Sequence, residues 1–183
     1  EGENPMQVLA EITKMRQACC HPKLVDKNSK IPSSKIGVFN DLVSEIISGG
    51  HKVLVFSQFT SFLALVRAEL DTQKIAYQYL DGSTTPQKRK KAVKDFQAGK
   101  GDIFLISLKA GGAGLNLTAA DYVIHMDPWW NPAVEDQASD RAHRIGQQRP
   151  VTIYRLVVKD SIEEKIVALH KEKRDLADGL LAG

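Results

Sequence analysis

The sequence predicts an α/β domain built on a mostly parallel central sheet flanked by helices, and three observations predict it. Short β-branched or aromatic runs alternate with longer amphipathic segments, as repeated βαβ units require. Several of the short runs, V-L-V-F-S at 53–57 and I-F-L-I-S at 103–107 among them, are almost continuously apolar, as strands covered on both faces must be. A chain of 183 residues, 43% apolar and 26% charged, is also long enough for one domain with its own core.

The elements follow in order. Asn4 to about Cys20 reads as a helix, after which H-P-K-L-V-D-K-N-S-K is a polar, turn-rich stretch; residues 1–32 therefore form a lead-in from a preceding region. Residues 33–160 carry the α/β pattern. Strands are expected at 53–57, 76–80, 103–107, 122–126 and 151–157, and helices at about 34–48, 59–70, 86–97 and 132–144. Pro86 and Pro132 suit first-turn positions, where the missing N–H costs nothing. A last amphipathic helix from Ser161 to Leu176, within a terminal segment 161–183, mixes Glu and Lys with Ile162, Ile166, Leu169 and Leu176 and is expected to brace the domain or to meet a neighbouring one.

Composition excludes several classes. A net charge of +3 falls short of the imbalance that marks nucleic-acid binding by composition alone. Cys19 and Cys20 are adjacent, with no C-x-x-C, which argues against a disulfide framework or a closed zinc site and for a reducing, intracellular setting. No segment approaches the roughly 20 apolar residues of a membrane span. The start, Glu1-Gly2-Glu3-Asn4, is too polar for a signal peptide and reads as cut from a longer chain.

Open parallel sheets place ligands at the carboxyl ends of their strands. Four segments lie there. F-S-Q-F at 56–59 and L-D-G-S-T at 80–84 offer hydroxyls and free amides suited to phosphate oxygens, although Asp81, Ser83 and Thr84 equally suit a plain turn and helix cap. S-L-K-A-G-G-A-G-L-N-L at 107–117 is glycine-rich, but a dinucleotide fingerprint would need glycine where Leu117 stands, and a Walker loop would need G-K-S or G-K-T. Its glycines either let backbone approach a sugar or phosphate or form a flexible turn. D-P-W-W-N-P-A-V-E-D-Q at 127–137 holds Trp129 and Trp130 between two prolines, so both cannot be core and one is expected to face a partner. Asp127 reads as a turn or cap residue rather than a metal ligand, and no metal site is expected.

The run D-Q-A-S-D-R-A-H-R-I-G-Q at 136–147 carries the sharpest signal. On the predicted helix, Arg141 and Arg144 share a face behind Gln137, a geometry suited to gripping a triphosphate that something else binds. His143 between them has no paired carboxylate or serine and reads as a packing or hydrogen-bonding residue. The basic run Lys88, Arg89, Lys90, Lys91 with Lys94 wraps around its helix rather than forming a stripe, so a solvated surface accounts for it as well as a phosphate track does.

The ordered set F-S-Q-F, D-G-S-T, K-A-G-G-A-G-L-N-L, D-P-W-W-N-P and D-Q-A-S-D-R-A-H-R-I-G-Q resembles the second, C-terminal RecA-like lobe of Swi/Snf-type double-stranded-DNA translocases, within the superfamily-two helicases. The likeness covers about residues 33–170, and L-A-E-I-T-K-M-R-Q-A-C-C-H-P-K-L resembles that family's segment entering the lobe. The resemblance implies a RecA-like three-layer fold. It implies that Arg141 and Arg144 are arginine fingers for ATP, with Mg²⁺, held mainly by a first lobe, and that Gln137, Gly114 and Asn116 lie near the nucleotide. Ser57, Gln58, Gly82, Ser83, Thr84, Ser107 and Lys109 would lie near a DNA backbone, and Trp130 near the interface between lobes. The implied partners are double-stranded DNA and the N-terminal RecA-like lobe of the same polypeptide; no membrane is implied, and this chain alone would be monomeric. The implied setting is intracellular, on DNA, with a compact prokaryotic member favoured by the uninterrupted lobe. The family's Walker lysine and acidic Mg²⁺ motif do not occur in these 183 residues, so this chain alone is expected not to hydrolyse ATP. Two rival readings stand beside this one: a nucleotide-binding Rossmann module, and a helicase-like lobe turned catalytically silent interaction module.

Overall fold

The computed structural model describes residues 2, 4–110 and 115–181. Its strands β1 (Val53–Ser57), β2 (Tyr77–Leu80), β3 (Ile103–Ser107), β4 (Tyr122–His125) and β5 (Thr152–Arg155) form one sheet in the order β2-β3-β1-β4-β5. Every pairing is parallel. The strands' carboxyl ends therefore share one edge, with Ser57 opposite Ser107 and Phe56 opposite His125. That edge gathers the loops picked out above.

Side chains along β1 and β3 alternate between two apolar cores. Val53, Val55, Ile103 and Leu105 meet helices α2 (Ser34–Ser48) and α3 (Thr60–Thr72) through Phe39, Val43, Phe62, Leu63 and Val66. Leu54, Phe56, Phe104 and Ile106 meet α4 (Pro86–Gln97) and α5 (Pro132–Ser139) through Ala92, Phe96 and Ala138. This is the three-layer arrangement that apolar, β-branched strands demand, and each such side chain contributes about 1.5–3 kcal/mol on burial. The helix α1 (Pro5–Cys20), a 3-10 turn at Pro22–Leu24 and the helix α6 (Ile162–Leu181) complete the described residues, α1 lying against α6.

Local signals account for the helix starts. Pro86 and Pro132 occupy first turns as expected, capped by the side chains of Thr85 and Asn131. Ser33 caps α2 by accepting from Ile36 N and donates its own hydroxyl hydrogen to the Cys20 carbonyl, which fixes the lead-in against the domain. Gly101 adopts φ +90°, and a Cβ there would sit 3.2 Å from the backbone of Ala76 and Tyr77, so the bend into β3 excludes larger residues.

One expected element is corrected. The helix expected over 132–144 ends at Ser139. Beyond it, the Arg141 carbonyl accepts from Leu117 N at 2.9 Å instead of continuing the helical ladder. Gln147 then donates its amide hydrogens to the carbonyls of Thr118, Ala120 and Ala142, and Gly146 turns the chain at φ +100°. Tertiary hydrogen bonds outcompete the helix here, so Arg141 and Arg144 stand on an irregular segment rather than one helical face.

Candidate functional site

The loops after β1 and β4 are stitched together by one carboxylate. Asp127 accepts the Ser57 hydroxyl at 2.5 Å and the Gln58 amide at 3.2 Å, while Ser57 Oγ accepts from Phe59 N at 3.1 Å. Burial pushes the Asp127 carboxyl up to about 6, against the opposing pull of Lys35, Ser57 and the Gln58 amide. The expectation of a free hydroxyl at Ser57 and a free amide at Gln58 is thus corrected, because Asp127 takes both. Gln58 retains one unsatisfied group, a buried Nε2 with no hydrogen-bond partner. Ser107 is buried too, its carbonyl accepting from Ala110 N, and Lys109 beside it is exposed.

The D-G-S-T loop is a turn closed on Asp81. Its Oδ1 accepts from Ser83 N at 2.8 Å and Ser83 Oγ at 2.6 Å, its Oδ2 accepts from Tyr79, and Thr84 Oγ1 accepts from Asp81 N. The Ser83 hydroxyl first, and the Tyr79 hydroxyl next, hold the Asp81 carboxyl down at about 2. The plain-turn reading of these residues therefore holds locally, although the helix cap is Thr85 rather than any of them. Gly82 and Ser83 remain exposed and Thr84 half-buried.

Arginines grip both margins of the glycine-rich segment. Arg89 donates to the Ala110 carbonyl at 2.7 Å and Arg144 to the Leu115 carbonyl at 3.0 Å. Gly114, with Gly111 and Gly112, lies outside the described residues. Asn116 is exposed, its Oδ1 accepting from Thr118. A groove of about 620 Å³ runs between α4 and residues 115–116, and Arg89, Lys90 and Lys94 line it with no carboxylate among the lining residues.

Arg141 is the feature that fits an anion. Its guanidinium carbon lies 5.5 Å from the centroid of the Phe56 ring, and its Nε is buried without a hydrogen-bond partner. Burial lowers its pKa, and the charge of Arg89 lowers it further, with no carboxylate offsetting either. A half-buried cation whose Nε is shut off from solvent and unused is costly unless something anionic meets it, and a phosphate matches a guanidinium's planar donors. Gln137 projects from α5 at an exposed position nearby in sequence, and His143 is exposed, which removes the packing half of its expected packing or hydrogen-bonding role.

The tryptophan pair lies at the end of the next strand, both residues half-buried. Backbone groups of this loop are held from α5 and α6: Trp129 N donates to Glu135 at 2.8 Å, His170 Nε2 meets the Trp129 carbonyl, and Lys173 donates to the Trp130 carbonyl at 3.0 Å. Arg155 at the end of β5 donates to the same Glu135 at 2.8 Å. Nearby, His125 stacks on Phe56 and bonds Ser139, and burial pushes its imidazole down to about 4. Among the described residues no cluster of His, Cys, Asp or Glu converges as a metal site, and no helix is long and apolar enough to cross a membrane.

Sequence reasoning missed Arg16, Lys35, Arg89 and Gln147. Arg89 was hidden in a basic run, where it alone turns inward while Lys88, Lys90, Lys91 and Lys94 stay exposed. A glutamine that replaces a helix's next turn leaves no periodic signal at all.

Comparison with known proteins places this geometry. The family model for the helicase conserved C-terminal domain matches residues 35–146. An uncharacterised ATP-dependent helicase of Mycoplasma genitalium is 39% identical over 177 residues, covering 96% of this chain and 17% of that protein. The chromatin-remodelling ATPase INO80 of Homo sapiens is 44% identical over 153 residues, covering 82% of this chain and 10% of that protein. This chain thus spans less than a fifth of the curated relatives it matches. The C-terminal part of the Fun30 ATPase domain superposes with a TM-score of 0.73 at 38% identity, covering 86% of this chain and 54% of that one. The C-terminal domain of the Sulfolobus solfataricus SWI2/SNF2 ATPase superposes with a TM-score of 0.75 at 29% identity, covering 91% of this chain and 69% of that one. With its all-parallel sheet, its arginine-bounded glycine segment and these relatives, the chain belongs to the helicase conserved C-terminal domain family, as the C-terminal RecA-like lobe of a Snf2-type helicase.

Proposed function

We propose that this chain is the second motor lobe of a DNA-dependent ATPase that translocates on double-stranded DNA. ATP with Mg²⁺ is held mainly by a first RecA-like lobe outside this sequence, and Arg141 and Arg144 reach its phosphates as arginine fingers. The observation that carries the reading is the buried, partnerless Nε of Arg141. Its half-buried guanidinium lies in the same lobe as Arg89 and Arg144, the two residues that bound the glycine segment. A transferring phosphoryl group spreads negative charge over its oxygens, and a guanidinium delivered from a second lobe neutralises it only when the lobes close. Arg144 would have to leave the Leu115 carbonyl, or share its remaining donors, to take part.

Gln137, Asn116 and Gly114 belong beside the nucleotide in this reading. The exposed groups of Gly82, Ser83 and Lys109, together with Thr84, face a DNA backbone. Ser57, Gln58 and Ser107 are buried and shape that surface from beneath, through the Asp127 link and the β1–β3 register. Trp130 stands toward the first lobe. Contacts to phosphates rather than bases suit a motor that tracks any sequence.

The test is ATP hydrolysis by the full-length protein with and without duplex DNA, comparing native protein with Arg141→Ala and Arg144→Ala. DNA-stimulated turnover should fall about 10³-fold in each variant, the lower end of what an arginine finger supplies. Native turnover in both variants would dismiss the fingers. A native protein inactive with every DNA would favour a catalytically silent interaction module.

A further inference from the structure

Arg16 is a buried cation that the motor reading leaves without a task. It lies on α1, in the segment leading into the lobe, and is 6% exposed. Arginine at that depth requires compensation, yet Arg16 makes no salt bridge among the described residues. Its hydrogen bond goes to the Pro128 carbonyl at 3.4 Å. Its guanidinium carbon lies 5.4 Å from the centroid of Phe59, 5.4 Å from that of Trp129 and 5.3 Å from that of Trp130. Three rings from two loops at the ligand edge thus converge on one side chain of the lead-in helix.

The division of labour in this loop is specific. Glu135, His170 and Lys173 hold the backbone of Trp129 and Trp130, as described above, whereas Arg16 meets their rings. A planar guanidinium can lie against several aromatic faces at once and still donate in its own plane, which an ammonium cannot do. The same side chain touches Phe59, immediately after the Ser57–Gln58 turn that Asp127 ties to β4. Arg16 is therefore the point at which the lead-in helix meets both the F-S-Q-F loop after β1 and the tryptophan loop after β4.

We propose that Arg16 is a positioning residue that sets the pose of the Trp129 and Trp130 rings and so couples the lead-in helix to DNA-stimulated turnover. The inference rests on the reading of this chain as the second lobe of a DNA-driven ATPase. Arg16 touches neither nucleotide nor DNA in it and acts through the rings.

The two tryptophans are the only ones in the sequence, so intrinsic fluorescence reports this contact directly. In the 183-residue chain, which has its own two-sided core, Arg16→Gln should shift tryptophan emission to the red and increase acrylamide quenching while far-UV circular dichroism is retained. Arg16→Lys, which keeps the charge but not the plane, should fall between Gln and native. In the full-length protein, kcat at saturating DNA should fall about tenfold in Arg16→Gln with KM for ATP within about twofold of native, the pattern of a lost transition-state contribution rather than lost binding. In a Trp130→Phe background, Arg16→Gln should add no further loss, since residues acting through one another are not additive. Unchanged emission in Arg16→Gln, or full additivity with Trp130→Phe, would overturn the proposal. If Arg16→Gln loses its circular dichroism signal, Arg16→Lys carries the same comparisons. A native full-length protein with no DNA stimulation would sink the motor reading and this inference together, and is distinguishable from failure of Arg16 alone, which leaves native stimulation intact.

Discussion

A carboxylate buried at the end of β4 shows how much one residue can set. Asp127 was legible as a cap, because aspartate at a strand end commonly serves a turn, but its reach across to Ser57 and Gln58 was not, since strand order cannot be read from local sequence. Its titration has a definite sign. Burial raises the folded pKa from 3.8 to about 6, so between about pH 4 and 6 the folded state binds more protons than the unfolded one, and stability falls as pH rises through that window. Arg16, Lys35 and Glu163 face the same region and Lys35 moderates the shift. Asp127→Asn should remove this component, which amounts to ~3 kcal/mol at most for a shift of about two units. Urea denaturation of native and variant chains at pH 4 and pH 6.5 measures it; a native-minus-variant difference that does not change with pH would show that Asp127 titrates normally. Arg141 and Arg144 stood out in the sequence as two arginines behind a glutamine, and their role as fingers is part of the proposal above. Their helix was not legible, because what ended it was the Arg141 carbonyl pairing with a distant Leu117.

Between elements, the strands and the helices α2, α3 and α4 were readable from their apolar periods, and the starts of α2 and α4 also carry the Ser33 cap and the Thr85 cap with Pro86. The relation of α6 to the rest was readable only as bracing. Its physical basis is an ion pair that sequence spacing gives no hint of, Lys35 at the start of α2 with Glu163 at the start of α6, 2.7 Å apart and almost wholly buried. Lys35 also donates to the Met126 carbonyl at 2.6 Å, and Glu163 accepts from Val158 N at 2.9 Å, so both charges have further partners. Such a pair adds little over an apolar replacement, but removing one member strands the other charge. Lys35→Met should therefore destabilise the chain by about 3–5 kcal/mol, and the double change Lys35→Met with Glu163→Leu by clearly less. Equilibrium unfolding of the three variants checks the order; a double variant as weak as the single would place the cost in packing rather than charge.

At the scale of the whole molecule, the net charge of +3 is too small to announce a polyanion partner, yet charge is unevenly placed along the edge formed by the strands' carboxyl ends. Three carboxylates at that edge are engaged within the domain: Asp127 is buried under Ser57 and Gln58, Asp81 is closed by Ser83 and Tyr79, and Glu135 is held by Arg155 and Trp129 N. Lys109, by contrast, is exposed at the end of β3, and Lys90 and Lys94 stand along the neighbouring groove. A surface so arranged would bind phosphates by counterion release, which depends on salt and not on base sequence. On the motor reading, duplex affinity of the full-length protein should fall linearly on a log–log plot against salt, alike for unrelated duplex sequences, and Lys109→Ala should reduce that slope by about one phosphate contact. Fluorescence anisotropy at several salt concentrations, with two duplexes of different sequence, is the measurement. An unchanged slope in Lys109→Ala would move the DNA path away from the end of β3, while a strong preference for one duplex would point to base readout, which a sequence-blind translocase has no use for.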